Sequence, residues 1–263
     1  MATQKTAEKL KGRTLRDEAR EKESFLREVD KRLSIYGNDR HHNRDDSLEE
    51  LIFIILSAQT ESYLYRQTFE DLQRHFPTWD FMLNAPEDEI ESVIRRGGLA
   101  RKKASQLKRA LHKIKEDTGK LSLEFLRELS NDEARRYLVS LPGVGIKSAA
   151  CILMYSLNRQ VLPVDTHVWR VSRRLGLTPA VPKPTDAQER ELESKVPEDI
   201  RYSLHVNMVS HGQQTCTTYY PKCSSCVLAD ICPSRDKYDD VWGQWRRPRG
   251  VWAKAVRDAS DAD

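Results

Sequence analysis

Four cysteines near the end of the chain have the residue type and spacing of a metal site. They follow the pattern Cys216-x6-Cys223-x2-Cys226-x5-Cys232. Four thiolates in one short loop favour a soft metal, and iron–sulfur clusters are bound by four such ligands. Structural zinc sites usually contain two C-x2-C-like pairs, whereas only one pair here has that spacing. The pattern therefore predicts an iron–sulfur site, and zinc stays open as the alternative.

A second group, residues 141–148, could bind phosphate. The sequence Leu-Pro-Gly-Val-Gly-Ile-Lys-Ser lies between two helical patterns and predicts a helix-hairpin-helix over residues 133–157. Gly143 and Gly145 permit positive φ and close approach of another backbone. Amides at the start of the second helix can bind a phosphate and hold a nucleic-acid backbone without reading its sequence. An ordinary helix–helix turn is the alternative, but Lys147 beside the glycines favours phosphate binding.

Asp165 and His167 lie in the sequence Val-Asp-Thr-His, after an apolar segment and before a helical pattern. An aspartate at this place can simply be the N-cap of the helix, because its side chain accepts hydrogen bonds from the first amides. A lone histidine is most often structural. The two residues therefore predict no chemistry by themselves, and their interpretation depends on the other motifs.

Charge is distributed unevenly along the chain. The formal net charge is only +4, yet residues 95–115 contain nine Lys or Arg residues and no Asp or Glu. Either a solvated helix face or a contact with a polyanion accounts for such a run. The N-terminus has no apolar leader, and no apolar run is long enough to span a membrane. We therefore expect an intracellular protein of the cytoplasm or nucleoid, where cysteine clusters bind metal rather than form disulfides.

The elements that must position these residues are helices. Apolar residues recur at helical intervals from residue 23 to 36, and alternation typical of strands is missing, so the predicted class is all-α. Ser47 and Glu50 fit a capping box, after which residues 51–66 are predicted as one apolar-rich helix. Further helices are predicted over 65–75, 86–95, 101–116, 123–129, 131–140 and 149–157.

Together these motifs resemble the endonuclease III branch of the helix-hairpin-helix DNA glycosylases. The similar residues are Leu-Pro-Gly-Val-Gly-x-Lys at 141–147, Val-Asp-Thr-His at 164–167, the cysteine loop, and Leu-Ser-Ala-Gln-Thr at 56–60. The resemblance runs from about Phe25 to Pro233. It implies a two-lobed all-α fold with DNA in the cleft between the lobes. The implied parts are a six-helix barrel at 45–159, a discontinuous [4Fe–4S] lobe at 23–44 and 160–240, and tails at 1–22 and 241–263.

The resemblance also implies an activity and its residues. A monomer would bind double-stranded DNA that contains a damaged base or an abasic site, and would remove an oxidised pyrimidine. Lys147 would attack C1′ of the deoxyribose and form a Schiff base, Asp165 would stabilise positive charge on the sugar, and β-elimination would cleave the strand. Gln59 would fill the gap left by the everted nucleotide and Leu99 would be a wedge. Further implied DNA contacts are Gly143, Val144, Gly145, Ser148, His167 and Arg170, with Arg173 and Arg174 as additions.

Three alternatives remain at this stage. Ser62 replaces the aspartate that endonuclease III usually has near this position, so the resemblance does not decide which damaged base the pocket accepts. Residues 121–153 also resemble the plant 5-methylcytosine glycosylases of the same superfamily. Mismatch glycosylases generally lack the lysine found at position 147, which favours an enzyme with lyase activity. A DNA-binding protein without catalytic activity is the third alternative.

Overall fold

The computed structural model describes residues 15–235, which form α-helices and short 3-10 segments without any β-strand. The predicted all-α class is confirmed. The contacts divide the chain into two compact units. We call residues 39–163 the hairpin unit, and residues 1–38 with 164–263 the cysteine unit. Within the described part of the chain, no helix is both long enough and apolar enough to cross a membrane.

The helices of each unit follow the chain in order. The hairpin unit contains α2 to α8, and the cysteine unit contains α1 and α9 to α11. The bounds are α1 Leu15–Leu33, α2 Ser47–Ser57, α3 Ser62–His75, α4 Trp79–Asn84, α5 Glu87–Ile94, α6 Ala100–Thr118, α7 Asn131–Ser140, α8 Ile146–Tyr155, α9 Thr166–Arg174, α10 Asp186–Lys195 and α11 Arg201–Gln214. Short 3-10 segments lie at Ser34–Tyr36, Arg95–Gly97, Glu124–Glu128, Glu198–Ile200 and Cys223–Ser225.

The start of α2 differs from the predicted capping box. Asp46 is the N-cap, and its Oδ1 accepts hydrogen bonds from the amides of Leu48 at 3.0 Å and Glu49 at 2.8 Å. Ser47 is the first helical residue. Glu50 turns inward instead, where Oε2 accepts a hydrogen bond from the Arg44 amide at 2.6 Å. An aspartate caps as well as a serine does, so the cap lies one residue earlier and Glu50 is available for another role.

The helix predicted over residues 51–66 is two helices. α2 ends at Ser57 and α3 begins at Ser62, because Gln59 adopts a left-handed conformation with φ 53° that no α-helix can contain. The Thr60 hydroxyl donates to the carbonyl oxygen of Gly97 at 2.7 Å, which holds the break in place. The apolar pattern continues on both sides of the break, so the sequence pattern alone does not reveal it.

The first described helix is longer than predicted. α1 begins at Leu15, so residues 15–22 are helical although the sequence analysis assigned them to a flexible tail. Lys, Arg, Glu and Ala are good helix formers, and Asp17 and Glu18 place negative charge in the first turn, where the helix dipole favours it. The predicted tail at 241–263 lies outside the described residues.

The cores are built around two buried helices. In the hairpin unit, residues 50–56 of α2 are all buried, and α2 contacts α3, α6 and α8. In the cysteine unit, α11 is buried from Leu204 to Gly212 and contacts α9 and α1. Each fully buried Leu, Ile or Phe contributes roughly 1.5–3 kcal/mol. These two helices therefore fix the positions of the loops that carry the candidate site residues.

Candidate functional site

The predicted helical hairpin is present in the hairpin unit. α7 ends at Ser140, and α8 begins at Ile146 with Gly145 as its N-cap, so no side chain caps the first amides of α8. Gly143 has φ 88°, and a Cβ there would lie 3.0 Å from the side chain of Gln106. Glycine is therefore required at this position for both backbone and packing reasons. The turn is suited to a close approach of another backbone.

The predicted contact residues of the hairpin differ in exposure. Gly143 and Gly145 are exposed and Ser148 is half-buried, whereas Val144 is only 6% exposed. The Val144 amide donates to the carbonyl oxygen of Leu141 at 3.1 Å. The glycines therefore present the backbone of the turn to solvent while valine fixes the turn from inside. Contacts of these residues with DNA stay predictions.

Lys147 lies in the first turn of α8 and is half-buried. Two titratable groups of the hairpin unit, Glu50 and Tyr65, lie within its electrostatic field. Burial raises the pKa of Glu50 to about 7, while the Arg44 amide and the charge of Lys147 oppose that shift. Burial likewise raises the pKa of Tyr65, and Lys147 again opposes it. The charge of the candidate nucleophile thus acts on a buried carboxyl group and on a phenol.

Glu50 is the residue of this group that the sequence analysis did not assign to the site. Its side chain is fully buried, with one oxygen bonded to the Arg44 amide. The other oxygen, Oε1, has no hydrogen-bond partner within the described part of the chain. A buried carboxylate without a second partner is costly, and its neutral form is correspondingly favoured. An acid at the start of the apolar run Leu-Ile-Phe-Ile-Ile-Leu is the sequence signal that could have identified it.

Gln59 and Leu99 lie on two separate loops of the hairpin unit. Both residues are exposed, Leu99 to 48%, and both have left-handed backbone conformations, with φ 53° and 52°. An exposed leucine in a strained backbone conformation is unusual unless the surrounding structure or a function requires it. These geometries support the predicted insertion of both side chains into DNA, which stays a prediction.

The basic stretch at residues 95–115 is not one continuous surface. Lys103 is buried, and Lys113 and Lys115 form ion pairs with Asp117 at 3.0 Å and Asp80 at 3.1 Å. Three exposed basic residues line the same shallow depression as Leu99, namely Arg101, Lys102 and Arg109. Only part of the run can therefore meet a polyanion.

Asp165 is the N-cap of α9 in the cysteine unit. Its Oδ1 accepts hydrogen bonds from the amides of His167 at 2.8 Å and Val168 at 2.7 Å. The carboxyl group remains half-buried. The capping role that the sequence left open is thus present, and it fixes the orientation of the carboxylate. A rigid carboxylate is compatible with a second role toward a substrate.

His167 and Arg170 form a network inside the cysteine unit. Arg170 is 5% exposed, and its guanidinium donates to the carbonyl oxygens of Gly212 at 2.6 Å and Cys216 at 3.0 Å and to His167 Nδ1 at 3.1 Å. A Cβ at Gly212 would lie 2.8 Å from the Cβ of His167, so glycine is required there. Arg170 therefore connects α9 to the cysteine loop, and its predicted DNA contact stays a prediction.

Arg174 extends this network along the cysteine loop. Its guanidinium donates to the carbonyl oxygens of Cys216 at 3.3 Å and Thr217 at 2.7 Å, and to Cys216 Sγ at 3.2 Å. Arg173 is buried as well, and desolvation lowers its pKa to about 10. All three arginines that the sequence offered as DNA contacts are thus at most 7% exposed.

The four cysteines line one cavity of the cysteine unit. Burial raises the pKa of the Cys226 thiol, and the charges of the other three cysteines raise it further, so the four sulfurs lie within one another's field. The Leu228 amide donates to Cys226 Sγ at 3.4 Å. Across residues 15–235, no three His, Cys, Asp or Glu side chains converge on a position for a single metal ion. Four soft donors around a cavity suit a cluster of several metal atoms better than one ion.

The chain is similar to two proteins of Arabidopsis thaliana and to one endonuclease III. It is 36% identical over 197 residues to the DNA glycosylase candidate At3g47830 of Arabidopsis thaliana, covering 73% of this chain and 66% of that protein. It is 32% identical over 191 residues to endonuclease III of Buchnera aphidicola, covering 73% of this chain and 84% of that protein. It is 31% identical over 170 residues to the Arabidopsis thaliana DNA glycosylase/AP lyase ROS1, covering 59% of this chain but only 12% of that protein.

The fold and the family agree. The structure of a non-covalent endonuclease III–DNA complex matches with a TM-score of 0.70 and 28% identity, covering 82% of this chain and 97% of that one. The predicted resemblance to endonuclease III is confirmed. Residues 52–198 match the family described as HhH-GPD superfamily base excision DNA repair protein. Because this match covers more than half of the chain, the protein belongs to the HhH-GPD superfamily of base excision DNA repair proteins.

Proposed function

We propose that this protein is a DNA glycosylase with AP lyase activity, in which Lys147 is the nucleophile. The observation that carries the proposal is a half-buried lysine in the first turn of the hairpin helix, within the electrostatic field of the buried carboxyl group of Glu50. In this proposal the turn binds the DNA backbone, and Lys147, two residues beyond Gly145, presents its amine to a deoxyribose. The similarity to endonuclease III supports the same assignment.

The reaction proceeds in two steps on the sugar. The neutral amine of Lys147 attacks C1′, the bond from C1′ to the base breaks, and the base leaves with the electron pair and takes up a proton. The C1′–O4′ bond of the resulting aminal then breaks, and O4′ takes up a proton released from the amine. The product is an iminium between Lys147 Nζ and C1′ of the opened sugar. Removal of a proton from C2′ then expels the 3′ phosphate by β-elimination, and water releases the enzyme. By similarity to endonuclease III, Asp165 stabilises the positive charge on the sugar.

We propose that Glu50 takes part in the proton exchange of this scheme. Only an unprotonated amine can attack C1′, so a proton must leave Lys147 before the first bond forms. A buried carboxyl group whose pKa is about 7 exists in both protonation states near neutral pH. It can therefore exchange a proton with its surroundings without a large change in free energy.

The cysteine loop is proposed to bind a [4Fe–4S] cluster through Cys216, Cys223, Cys226 and Cys232. When bound, the cluster would crosslink the two ends and the middle of the loop to one another. The fit rests on four thiols around one cavity and on the Arg174 and Leu228 donors directed at two of the sulfurs. Iron, sulfide and zinc analysis of purified protein tests this assignment, and one zinc per chain without iron would refute it.

Borohydride trapping tests the proposed function. Wild-type protein with duplex DNA that contains an oxidised pyrimidine or an abasic site is expected to form a covalent complex, and Lys147→Gln is expected to form none. Lys120→Gln, an exposed lysine of the same unit, is the matched control and should trap normally. Absence of trapping on every damaged or abasic substrate would refute the lyase activity.

A second substrate class is 5-methylcytosine. The similarity to ROS1, together with Ser62 at the place of the usual endonuclease III aspartate, supports it. We propose oxidised pyrimidines as the principal substrate and place 5-methylcytosine duplexes in the same cleavage panel. Release of 5-methylcytosine at a rate equal to or above that of oxidised pyrimidines would reverse this order.

A further inference from the structure

Lys103 is a buried lysine near the start of α6, in the middle of the basic stretch. Its side chain is 1% exposed. The ammonium donates to the carbonyl oxygens of Leu56 at 2.7 Å and Gly97 at 2.9 Å, and to the Thr60 hydroxyl. A lysine ammonium has three N–H donors, so these three bonds use all of them. Lys103 is therefore fully engaged within the hairpin unit and cannot contact a polyanion.

All three acceptors of Lys103 are uncharged. The Leu56 carbonyl belongs to the last turn of α2, and the Gly97 carbonyl ends the 3-10 segment Arg95–Gly97. Carbonyl groups at the ends of helical segments carry partial negative charge, which favours a cation. Burial lowers the pKa of Lys103 to about 8, so the ammonium still predominates near pH 7. The geometry and the charge thus favour a donor that gathers acceptors from separate segments.

The acceptors belong to the two loops that present Gln59 and Leu99. Leu56 and Thr60 flank Gln59, and Gly97 precedes Leu99 by two residues. The Thr60 hydroxyl also donates to the Gly97 carbonyl oxygen at 2.7 Å, which joins the loops directly. A single buried ammonium therefore links the two loops that carry the exposed side chains of Gln59 and Leu99.

The Leu99 loop is also held from behind. A Cβ at Gly97 would lie 2.9 Å from Thr68 Oγ1, so the loop packs directly against α3 at this point. Insertion of a side chain into a base stack requires free energy to unstack the bases. If the loop moves instead, the binding energy does not unstack the DNA. A rigid base for both side chains therefore has a mechanical purpose.

We propose that Lys103 is a positioning residue that fixes the Gln59 and Leu99 loops relative to one another, so that both side chains enter a damaged duplex together. This inference rests on the proposed function, because Gln59 and Leu99 can distort DNA only in a protein that binds a damaged duplex. It predicts that Lys103 matters where a duplex must be opened and not where the sugar is already accessible.

Two DNA probes separate these cases. The first is a duplex with a tetrahydrofuran abasic-site analogue opposite 2-aminopurine, whose fluorescence rises when the base is unstacked. The second is a single-stranded oligonucleotide with a natural abasic site, used for borohydride trapping. Lys103→Met keeps the length of the side chain but removes the ammonium, and Thr60→Val removes one acceptor. Lys120→Met, an exposed lysine of the same unit, controls for the loss of one charge.

Lys103→Met is expected to lower affinity for the analogue duplex by about tenfold or more and to remove the rise in fluorescence, as loss of hydrogen bonds to a charged group would. Thr60→Val is expected to lower affinity by about threefold. Trapping on the single strand should stay within about twofold of wild type for both variants, and Lys120→Met should match wild type in every measurement.

Wild-type affinity and fluorescence in Lys103→Met would overturn the proposal. Equal losses on the duplex and on the single strand would also overturn it, because they would reveal a general structural role. If Lys103→Met does not fold by circular dichroism, Thr60→Val decides by the same two probes. If wild-type protein forms no covalent complex with any natural abasic site, the lyase proposal fails, and binding to the analogue duplex alone then decides the role of Lys103.

Discussion

The two units use buried cations in different ways. In the hairpin unit, Lys103 collects acceptors from two loops at one point, and all of them are neutral. In the cysteine unit, the guanidinium groups of Arg170 and Arg174 lie against the cysteine loop. They donate to the carbonyl oxygens of Cys216 and Thr217 and to Cys216 Sγ. A compact ammonium with three donors links two loops at one point, whereas a guanidinium with five donors can bind several successive backbone groups of one loop.

The difference extends to the charges that face these cations. Lys103 is balanced by helix-end carbonyls within its own unit, so its environment is complete in the protein alone. The arginines lie in the field of Cys216, and Arg174 also in that of Cys232. Their charge is balanced best when these sulfurs are thiolates, the form that binds metal. The hairpin unit thus balances its buried cation with backbone carbonyl groups, whereas the buried cations of the cysteine unit depend on the charge state of the thiols.

The largest effect is expected from Arg174→Met. Removal of this buried donor takes away the hydrogen bonds to the Thr217 carbonyl oxygen and to Cys216 Sγ, and leaves Arg170 as the donor to the Cys216 carbonyl oxygen. It should lower the free energy of unfolding by about 3–5 kcal/mol. Thermal melts and iron content measure the two consequences, which should appear together. Arg190→Met, at an exposed arginine of the same unit, is the control. An unchanged melt with full metal content would contradict the role of Arg174.

A smaller effect is expected from Glu50→Gln, and its sign depends on pH. Burial raises the pKa of Glu50 to about 7, so the folded state binds more protons than the unfolded state between the ordinary carboxyl pKa and pH 7. Wild-type stability should therefore fall as pH rises through this window, by about 2–3 kcal/mol. Gln cannot ionise, so the variant should be the more stable protein at pH 8 and show a flatter profile.

Denaturant titrations from pH 5 to pH 8 measure this difference directly. Glu49→Gln, at the partly exposed neighbour on the same helix, is the matched control and should retain the wild-type slope. In the proposed function, Glu50→Gln should also shift the pH dependence of trapping without abolishing it. A stability profile of Glu50→Gln that parallels wild type would show that the carboxyl group is ionised throughout.

The smallest effects separate the two glycines of the hairpin. Gly143→Ala adds a Cβ 3.0 Å from Gln106 at a residue with φ 88°, and should cost about 1–2 kcal/mol of stability and weaken DNA binding. Gly145→Ala adds a Cβ with no neighbour within 4 Å at φ −97°, and should change stability by less than about 0.5 kcal/mol. Equal destabilisation by both changes would contradict the described turn.

Much of the candidate site could be read from the sequence, because its motifs are local. The Pro-Gly-Val-Gly turn, the capping aspartate before α9 and the cysteine spacing each depend on neighbours within a few residues, and the structure contains the turn and the cap where they were predicted. Asp165 shows the limit of such reading. The sequence could not distinguish a cap from a functional carboxylate, and the structure shows that the cap is present.

Other features depend on parts of the chain that are distant in sequence. Lys103 was assigned to a basic surface, yet two of its acceptors lie 47 and 43 residues away. Glu50 was assigned to a capping box, yet it is buried within the electrostatic field of a lysine almost one hundred residues later. Composition and periodicity reveal that a charge is present but not whether it is desolvated, because desolvation is decided by the elements that pack around it.

The sequence by itself determined the all-α class, the membership of the family and the residues that could perform its chemistry, because hairpin, cap and thiol spacing are encoded over short stretches. Only the tertiary structure decided which charges are buried, where the helix over residues 51–66 breaks, and that one lysine of the basic run joins the loops of Gln59 and Leu99. Such choices arise when packing removes a charge from water and leaves distant carbonyl groups as its remaining partners.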